Sequence, residues 1–160
     1  MDAVVAQAMA KWPNVPAVYG WLSLDRRGNW LIRSAGASQK FERIANHALR
    51  DFISRNYESD GAGRWYFQNG PQRVYVILAY TPLVVHYEGD ALRDHRGRPF
   101  APHAEYLDEE GSVLVAGEGT IALLDDRDLA RYAERGASLQ RIDGAEIQGR
   151  FGFVKEPKPD

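Results

Sequence analysis

The sequence has no cysteine and no long apolar run. Without cysteine there can be no disulfide scaffold, no thiolate zinc site, no iron–sulfur cluster and no cysteine nucleophile. No run of eighteen apolar residues is present, and the N-terminus lacks the basic region of a signal peptide. We therefore expect a soluble, cytoplasmic protein that does not enter a membrane.

The chain also has little net charge, with a formal value of −2. A dedicated nucleic-acid-binding domain is usually strongly basic, so this class is disfavoured. Residues 1–82 carry ten Lys/Arg and six Asp/Glu, whereas residues 83–160 carry ten and sixteen. Two explanations stay open: the two halves attract each other within one fold, or the first half binds an acidic partner.

The length of 160 residues predicts a single globular domain over residues 1–154, with a disordered tail over 155–160. The pattern Leu-Asp-x-x-Gly-x-x-Leu occurs at residues 24–31 and again at 107–114. This echo suggests pseudo-repeat halves, 14–82 and 83–154. The alternative is coincidence, because Asp-x-x-Gly is a common hairpin turn.

The apolar pattern predicts an α+β fold, in which an antiparallel, hairpin-rich sheet is packed by one long amphipathic helix and one or two short helices. The long helix is expected from about Ser38, its candidate N-cap, to Arg55. Its apolar residues recur at helical spacing: Phe41, Ile44, Ala45, Ala48, Leu49, Phe52 and Ile53. Shorter helices are expected over residues 2–12 and from Asp125 or Asp126 to Arg135, before Gly136.

Three hairpins are predicted from alternating apolar residues around turn sequences, with turns at 25–28, 68–71 and 108–111. The second hairpin is apolar on both faces, which indicates a central place in a sheet covered on each side. Residues 83–87 are expected to continue its second strand beyond Pro82. Residues 138–154 are expected to form weaker strands. A weak ββα-ββ duplication would fit this order.

Three segments, residues 11–22, 64–76 and 123–129, read KWPNVPAVYGWL, RWYFQNGPQRVYV and LLDDRDL. With these segments the chain resembles an uncharacterised proteobacterial family known only as a domain of unknown function. The resemblance covers roughly residues 11–82 and 105–130. It implies a bacterial cytosolic protein and brings no activity, cofactor or catalytic residue with it.

The histidines offer one route to enzymatic chemistry. His86, His95 and His103 lie on or near an irregular stretch, and Glu105 would point to the same side of a strand as His103. Such groups could hold a divalent metal and support a small metal-assisted hydrolase, although their spacing matches no known ligand pattern. His47 and Asp51 lie one helical turn apart and are expected to form a solvated surface pair.

Other catalytic signatures are missing from the sequence. It has no Gly-x-Ser-x-Gly elbow and no phosphate-binding loop. The acidic runs at 108–110 and 125–128 are typical of a hairpin turn and a helix N-terminus. We assign no catalytic residue and no cofactor, and we favour a protein that is not an enzyme.

The strongest candidate for function is the hairpin from Arg64 to Tyr75, which combines aromatic rings with guanidinium groups. These groups suit a ligand that has a flat ring, a ligand that has an anionic group, or single-stranded nucleic acid. The candidate ligand-binding residues are Trp65, Tyr66, Asn69, Arg73 and Tyr75. The alternative is that the aromatic rings only fill the core.

We therefore predict a binding or interaction module, with an unknown protein or small molecule as partner and a homodimer as one version. The first hairpin could extend the binding surface of the Arg64–Tyr75 hairpin through its aromatic residues Tyr19, Trp21 and Trp30. We do not expect a membrane or nucleic acid as partner.

Overall fold

The computed structural model describes residues 1–34, 40–135 and 138–160. The chain forms two compact units. The first contains residues 1–25, 29–79 and 153–160, and the second contains residues 26–28 and 80–152. Each unit holds one mixed β-sheet, so the α+β class is confirmed.

The first unit contains a six-stranded sheet in the order β3-β2-β1-β6-β5-β4. The strands are β1 (Val18–Leu24), β2 (Trp30–Arg33), β3 (Phe41–Arg43), β4 (Tyr57–Ser59), β5 (Trp65–Asn69) and β6 (Gln72–Leu78). Its described helices are α1 (Ala3–Lys11) and α2 (His47–Arg55). Strands β1 and β6 are parallel, and the remaining pairs are antiparallel.

One face of this sheet carries the apolar core of the first unit. Its buried side chains include Leu22, Leu24, Trp30, Tyr57, Trp65, Phe67, Val76 and Leu78. Phe52 of α2 packs edge-on against Phe67, with ring centroids 5.6 Å apart. Burying a large apolar side chain contributes about 1.5–3 kcal/mol, so this face accounts for much of the unit's stability.

The long helix predicted over residues 38–55 is wrong in its first half. Phe41–Arg43 form β3, which pairs with β2, and the helix begins only at His47. The side chain of Asn46 accepts a hydrogen bond from the Leu49 amide and caps the helix at that point. The spacing of the apolar residues Phe41 and Ile44 fits a helix. The backbone N–H and C=O groups of residues 41–43 instead form hydrogen bonds with the edge of β2. Ser38 lies outside the described residues.

The second unit contains a six-stranded sheet in the order β12-β9-β10-β11-β7-β8. The strands are β7 (Leu83–Glu88), β8 (Ala91–Asp94), β9 (Pro102–Leu107), β10 (Val113–Gly117), β11 (Thr120–Leu124) and β12 (Gln140–Arg141). A 3-10 turn at Asp126–Asp128 leads into α3 (Leu129–Ala133), and α4 (Gly144–Phe151) follows β12.

The purely antiparallel arrangement predicted from the hairpins is wrong. Parallel pairs join β1 to β6, β11 to β7 and β12 to β9. Hairpin patterns identify neighbours in sequence, whereas each of these pairs joins strands that are distant along the chain. Such long-range pairing leaves no local signal.

Residues 83–87 do not extend β6, because they form part of β7 in the second sheet. The Thr81 hydroxyl donates to the Leu83 carbonyl and accepts from the Leu123 amide, at 2.6 and 2.9 Å. These bonds fix the start of β7 beside β11.

Residues 144–151 form helix α4 where weaker strands were predicted. Asp143 caps its N-terminus by accepting from the Ala145 amide, and Gly152 ends it with φ +69°. Both are standard helix boundary signals.

Four turns have the same hydrogen-bonding pattern, and they begin at Asp25, Asp60, Asp94 and Asp108. In each turn the aspartate side chain accepts a hydrogen bond from the backbone amide four residues later. The glycine at the fourth position has φ between +77° and +86°. Asp25 and Asp108 are 83 residues apart, as in the repeated sequence pattern, but Asp60 and Asp94 are not. The same turn therefore occurs outside the repeated pattern, and the duplication of the two halves stays a prediction.

The C-terminal segment includes backbone contacts with the first unit. The Lys155 carbonyl accepts from the Leu78 amide at 2.8 Å, and Val154 donates to the Gly63 carbonyl at 2.9 Å. Within the segment predicted to be disordered, Pro157 is buried. Among the described residues, no helix has the length and apolar character needed to cross a membrane.

Candidate functional site

In the described part of the chain, His86 and His95 line one cavity of the second unit, and neither His103 nor Glu105 is among its lining residues. Over all the described residues, no group of three or more His, Asp or Glu side chains is placed to hold a metal ion. His47 and Asp51 form an exposed pair at 3.2 Å, as expected from the sequence. Nδ1 of His95 accepts from the Val84 amide at 3.2 Å, which ties this ring to the backbone of β7.

The aromatic hairpin predicted from residue 64 to residue 75 is formed by β5 and β6. Gly70, with φ +56°, occupies the first central position of a two-residue turn, as expected for a type II′ hairpin. This turn sets Gln68 directly opposite Arg73, and Tyr66 directly opposite Tyr75. The four side chains therefore share one face of the sheet.

The predicted ligand-binding residues are divided between the two faces and the tip of this hairpin. Trp65 lies on the core face, where its ring is 4.9 Å from that of Tyr57. Tyr66, Arg73 and Tyr75 lie together on the opposite face. Asn69 is exposed at the end of β5.

Asp60 organises the polar side of this face. Its Oδ2 accepts hydrogen bonds from Nε of Arg64 at 2.8 Å and from the Tyr75 hydroxyl at 2.9 Å. Its Oδ1 accepts from the backbone amides of Ala62 and Arg64. Burial alone would raise the pKa of Asp60, but these bonds outweigh it and hold the pKa below its usual value. The carboxylate is therefore ionised, and its charge is balanced by Arg64.

Tyr75 lies at the centre of an aromatic stack. Tyr19 of β1 stacks on it with ring centroids 4.8 Å apart and an interplanar angle of 16°. Tyr66 meets it edge-on at 6.0 Å. The hydroxyl of Tyr75 donates its proton to Asp60, so its oxygen can only accept hydrogen bonds from other groups.

Arg73 lies above Tyr66, with its guanidinium carbon 3.8 Å from the ring centroid. Burial raises the pKa of the Tyr66 phenol, so the ring stays neutral and attracts the cation through its π face. One guanidinium nitrogen donates to the Tyr75 hydroxyl at 3.3 Å. Over the described residues, no carboxylate is in ion-pair contact with Arg73.

A cavity of about 360 Å³ opens beside Arg73 and Tyr75 within the first unit. One side is formed by the end of α1 and the segment that follows it, and the other by the sheet face. Trp12, on the first side, is 52% exposed. The lining residues are Met9, Trp12, Pro13, Val15, Ala17, Tyr19, Gln68, Pro71, Arg73 and Tyr75.

Gln68 is the lining residue with an unsatisfied polar atom. Its side chain is almost fully buried, at 2% exposure, and its Nε2 donates to the Gly70 carbonyl at 3.1 Å. Its Oε1 is buried and has no hydrogen-bond partner among the described residues. A buried acceptor left without a donor costs about 1–3 kcal/mol, so this atom needs an explanation.

The sequence does not predict Gln68 or Trp12 as part of this site. The sequence predicts Gln68 within a turn at 68–71, whereas the two-residue turn at 70–71 sets it opposite Arg73. Tyr19 is predicted only as an extension of the binding surface, and its contact with Tyr75 depends on the parallel pairing of β1 with β6. The place of Trp12 depends on how α1 packs, for which the sequence has no local signal.

The fold and this pocket define a two-unit α+β protein with an aromatic cavity, and its described residues contain no group of three or more possible metal ligands. The chain belongs to the family named DUF2944 and described as "Protein of unknown function (DUF2946)", whose model matches residues 1–158. The predicted membership of a family of unknown function is thereby confirmed. No curated protein matches the chain.

Two solved structures are similar to the chain. One is a DUF1285 family protein from Silicibacter pomeroyi, with a TM-score of 0.51 and 17% identity, covering 84% of each chain. The other is a DUF1285 family protein from Shewanella baltica, with a TM-score of 0.51 and 11% identity, covering 71% of this chain and 90% of that one. At these identities the similarity concerns the fold alone.

Proposed function

We propose that the first unit is a binding module, and that its cavity holds a small ligand with a carboxylate beside a flat apolar body. The observation that supports this most is Arg73, a half-buried guanidinium at the cavity wall without a carboxylate partner in the described chain. A guanidinium has five N–H donors, and within the described residues only one hydrogen bond from Arg73 is seen, to Tyr75. The remaining donors favour a planar anion, because a carboxylate accepts two parallel bonds from the guanidinium.

The electrostatics of the neighbouring groups support an anionic ligand. Asp60 pairs with Arg64 at 2.8 Å, and Arg64 also contacts Asp160 at 3.7 Å, so the charge of Arg64 is neutralised. Arg73 contributes a positive charge at the cavity wall that is in no ion pair among the described residues. A carboxylate bound beside it would gain from the low dielectric of a half-buried site.

The aromatic lining supports a flat apolar body on the same ligand. Tyr75 and Tyr19 are already stacked, and Trp12 stands exposed on the other side of the cavity. An aromatic ring that enters the cavity would cover Trp12 and bury apolar area at about 25 cal/mol per Å². The cavity volume is at the lower end of the usual range for ligand pockets, which suits a small molecule.

Titration with 3-phenylpropionate tests the proposal, because this probe has one ring and one carboxylate. We expect saturable quenching or enhancement of Trp12 fluorescence, with a Kd of about 1–10 mM. The alcohol 3-phenylpropanol has the same ring without the charge and should bind at least about tenfold more weakly. A Trp12→Phe variant identifies the part of the signal that comes from Trp12.

Arg73→Met should abolish the preference for the carboxylate over the alcohol. Arg43→Met makes the same chemical change on the exposed strand β3 and should leave binding unchanged. Equal binding of acid and alcohol to the wild-type protein, or full binding by Arg73→Met, would refute the proposal.

A further inference from the structure

From the pairing of Gln68 with Arg73 we infer that the ligand is an N-acylated amino acid, the chemical unit found at the carboxyl end of a peptide chain. This inference rests on the proposed function and specifies its ligand class. It requires the carboxylate to bind Arg73 and the adjacent amide N–H to bind Oε1 of Gln68.

Two complementary groups lie side by side on this face. Gln68 and Arg73 are directly opposite each other in the hairpin, so their Cβ atoms are about 5 Å apart. Arg73 can only donate hydrogen bonds, whereas Oε1 of Gln68 can only accept them. A ligand that satisfies both must present an acceptor and a donor a few ångströms apart, as an N-acylated amino acid does.

The orientation of the Gln68 amide is fixed by its own hydrogen bond. Nε2 donates to the Gly70 carbonyl at 3.1 Å, and the reverse orientation would place two oxygens against each other. The free atom of this side chain is therefore the oxygen. Its burial and its lack of a partner in the described residues make an incoming N–H favourable.

The cavity fits one residue of this kind rather than a long segment. Its volume of about 360 Å³ accommodates a ring, a carboxylate and an acyl group. Tyr19 and Tyr75 on one side and Trp12 on the other favour an aromatic side chain on the ligand.

A series of four probes on the wild-type protein tests the inference without any variant. The probes are N-acetylphenylalanine, its N-methylated form without the N–H, its carboxamide without the charge, and 3-phenylpropionate without the amide. We expect N-acetylphenylalanine to bind about tenfold more tightly than each of the other three, by calorimetry or by NMR titration.

Gln68→Met removes the acceptor at similar side-chain length. It should reduce the affinity for N-acetylphenylalanine to that for the N-methylated probe and leave the binding of 3-phenylpropionate unchanged. Gln7→Met makes the same exchange at an exposed position of α1 and is the control. Retention of native circular dichroism by Gln68→Met establishes that the variant is folded. If the variant does not fold, the probe series on the wild-type protein is the test: a preference of about tenfold for N-acetylphenylalanine supports the inference, and equal binding of the N-methylated probe overturns it.

The outcomes separate this inference from the function on which it rests. If 3-phenylpropionate binds as tightly as N-acetylphenylalanine, the inference is overturned while the proposed function stands. If none of the charged probes binds, both fail. Tighter binding of N-acetylglycylphenylalanine would identify the end of a peptide as the ligand, and equal binding would identify a free N-acyl amino acid; both support the inferred chemistry.

Discussion

The hydroxyl of Tyr75 donates a hydrogen bond to Oδ2 of Asp60 at 2.9 Å, across fifteen positions of the sequence. Asp60 opens the turn before β5, and Tyr75 lies in the middle of β6. The bond fixes the ring that Tyr19 stacks on and that Arg73 contacts. A turn residue thus sets the position of the cavity wall.

Removal of the Asp60 carboxylate should destabilise the first unit. Four hydrogen bonds end on this group, and two of them come from backbone amides of its own turn. We expect Asp60→Ala to lower the free energy of unfolding by about 3 kcal/mol. Tyr75→Phe removes only one of these four bonds, together with the longer bond from Arg73 at 3.3 Å, and should cost about 1 kcal/mol. Urea unfolding measures both, and equal losses would contradict the central role of the carboxylate.

The same carboxylate should contribute to the acid sensitivity of the protein. Its pKa in the folded chain is below the usual value of 3.8, because hydrogen bonds outweigh the opposing effect of burial. Its stabilising contribution is therefore complete well above pH 3.8 and is lost as the pH falls through the folded pKa. We expect Asp60→Asn to lose less stability than the wild-type protein between about pH 6 and about pH 3. Parallel losses would show that Asp60 does not supply this dependence.

His95 should make the second unit sensitive to mild acid. Burial lowers the pKa of His95 from 6.5 to about 4, and its Nε2 is shielded from solvent. A lowered folded pKa means that the unfolded chain binds the proton first, so stability is complete above about pH 6.5 and falls towards pH 4. The full loss is on the order of 3 kcal/mol.

His95→Gln should flatten this dependence, because the amide oxygen of Gln can accept from the Val84 amide without titrating near neutral pH. Unfolding in urea at several pH values, followed by circular dichroism, measures the slope. His47→Gln exchanges an exposed imidazole and serves as the control. An unchanged slope in His95→Gln would contradict the assignment.

Local patterns in the sequence predicted the parts of the fold that depend on neighbouring residues. The turn around Asp25 was predictable, because turn chemistry fixes it within a few residues. The hairpin of β5 and β6 was predicted with a turn at 68–71, but the turn consists of residues 70–71 and the first two residues belong to β5. The helix predicted across Phe41 is wrong, because Phe41 and Ile44 are at helical spacing while residues 41–43 pair with β2. Asn46, a favourable N-cap, was the signal that marked the true start.

The candidate site could be predicted only in part, for the same reason. Tyr66, Arg73 and Tyr75 belong to one hairpin, and their composition indicated binding. Tyr19 reaches them through parallel pairing, and Trp12 through helix packing. Both depend on contacts between distant segments.

The turns that contain Gly28 and Gly111 have the same geometry but different surroundings. Substituting each glycine therefore measures how much a close contact with His95 lowers the free energy of unfolding. Gly28 and Gly111 have nearly the same φ, +80° and +84°. A Cβ on Gly28 would lie 2.7 Å from Cβ of His95, whereas a Cβ on Gly111 would meet no atom within 4 Å. We expect Gly111→Ala to cost about 1 kcal/mol for backbone strain, and Gly28→Ala to cost about 1–3 kcal/mol more. Thermal unfolding compares the two, and equal costs would contradict the contact.

The proposed binding function of the first unit is tested most directly by locating where a carboxylate binds. The measurement is a two-dimensional ¹H–¹⁵N NMR titration of the full chain with 3-phenylpropionate, repeated with Arg73→Met. We predict saturable shifts in the wild-type protein, concentrated at the side chains of Arg73, Gln68 and Trp12, and a Kd at least about tenfold higher for Arg73→Met. Shifts that do not saturate in the wild-type protein, that lie elsewhere, or that give the same Kd for Arg73→Met would contradict the account.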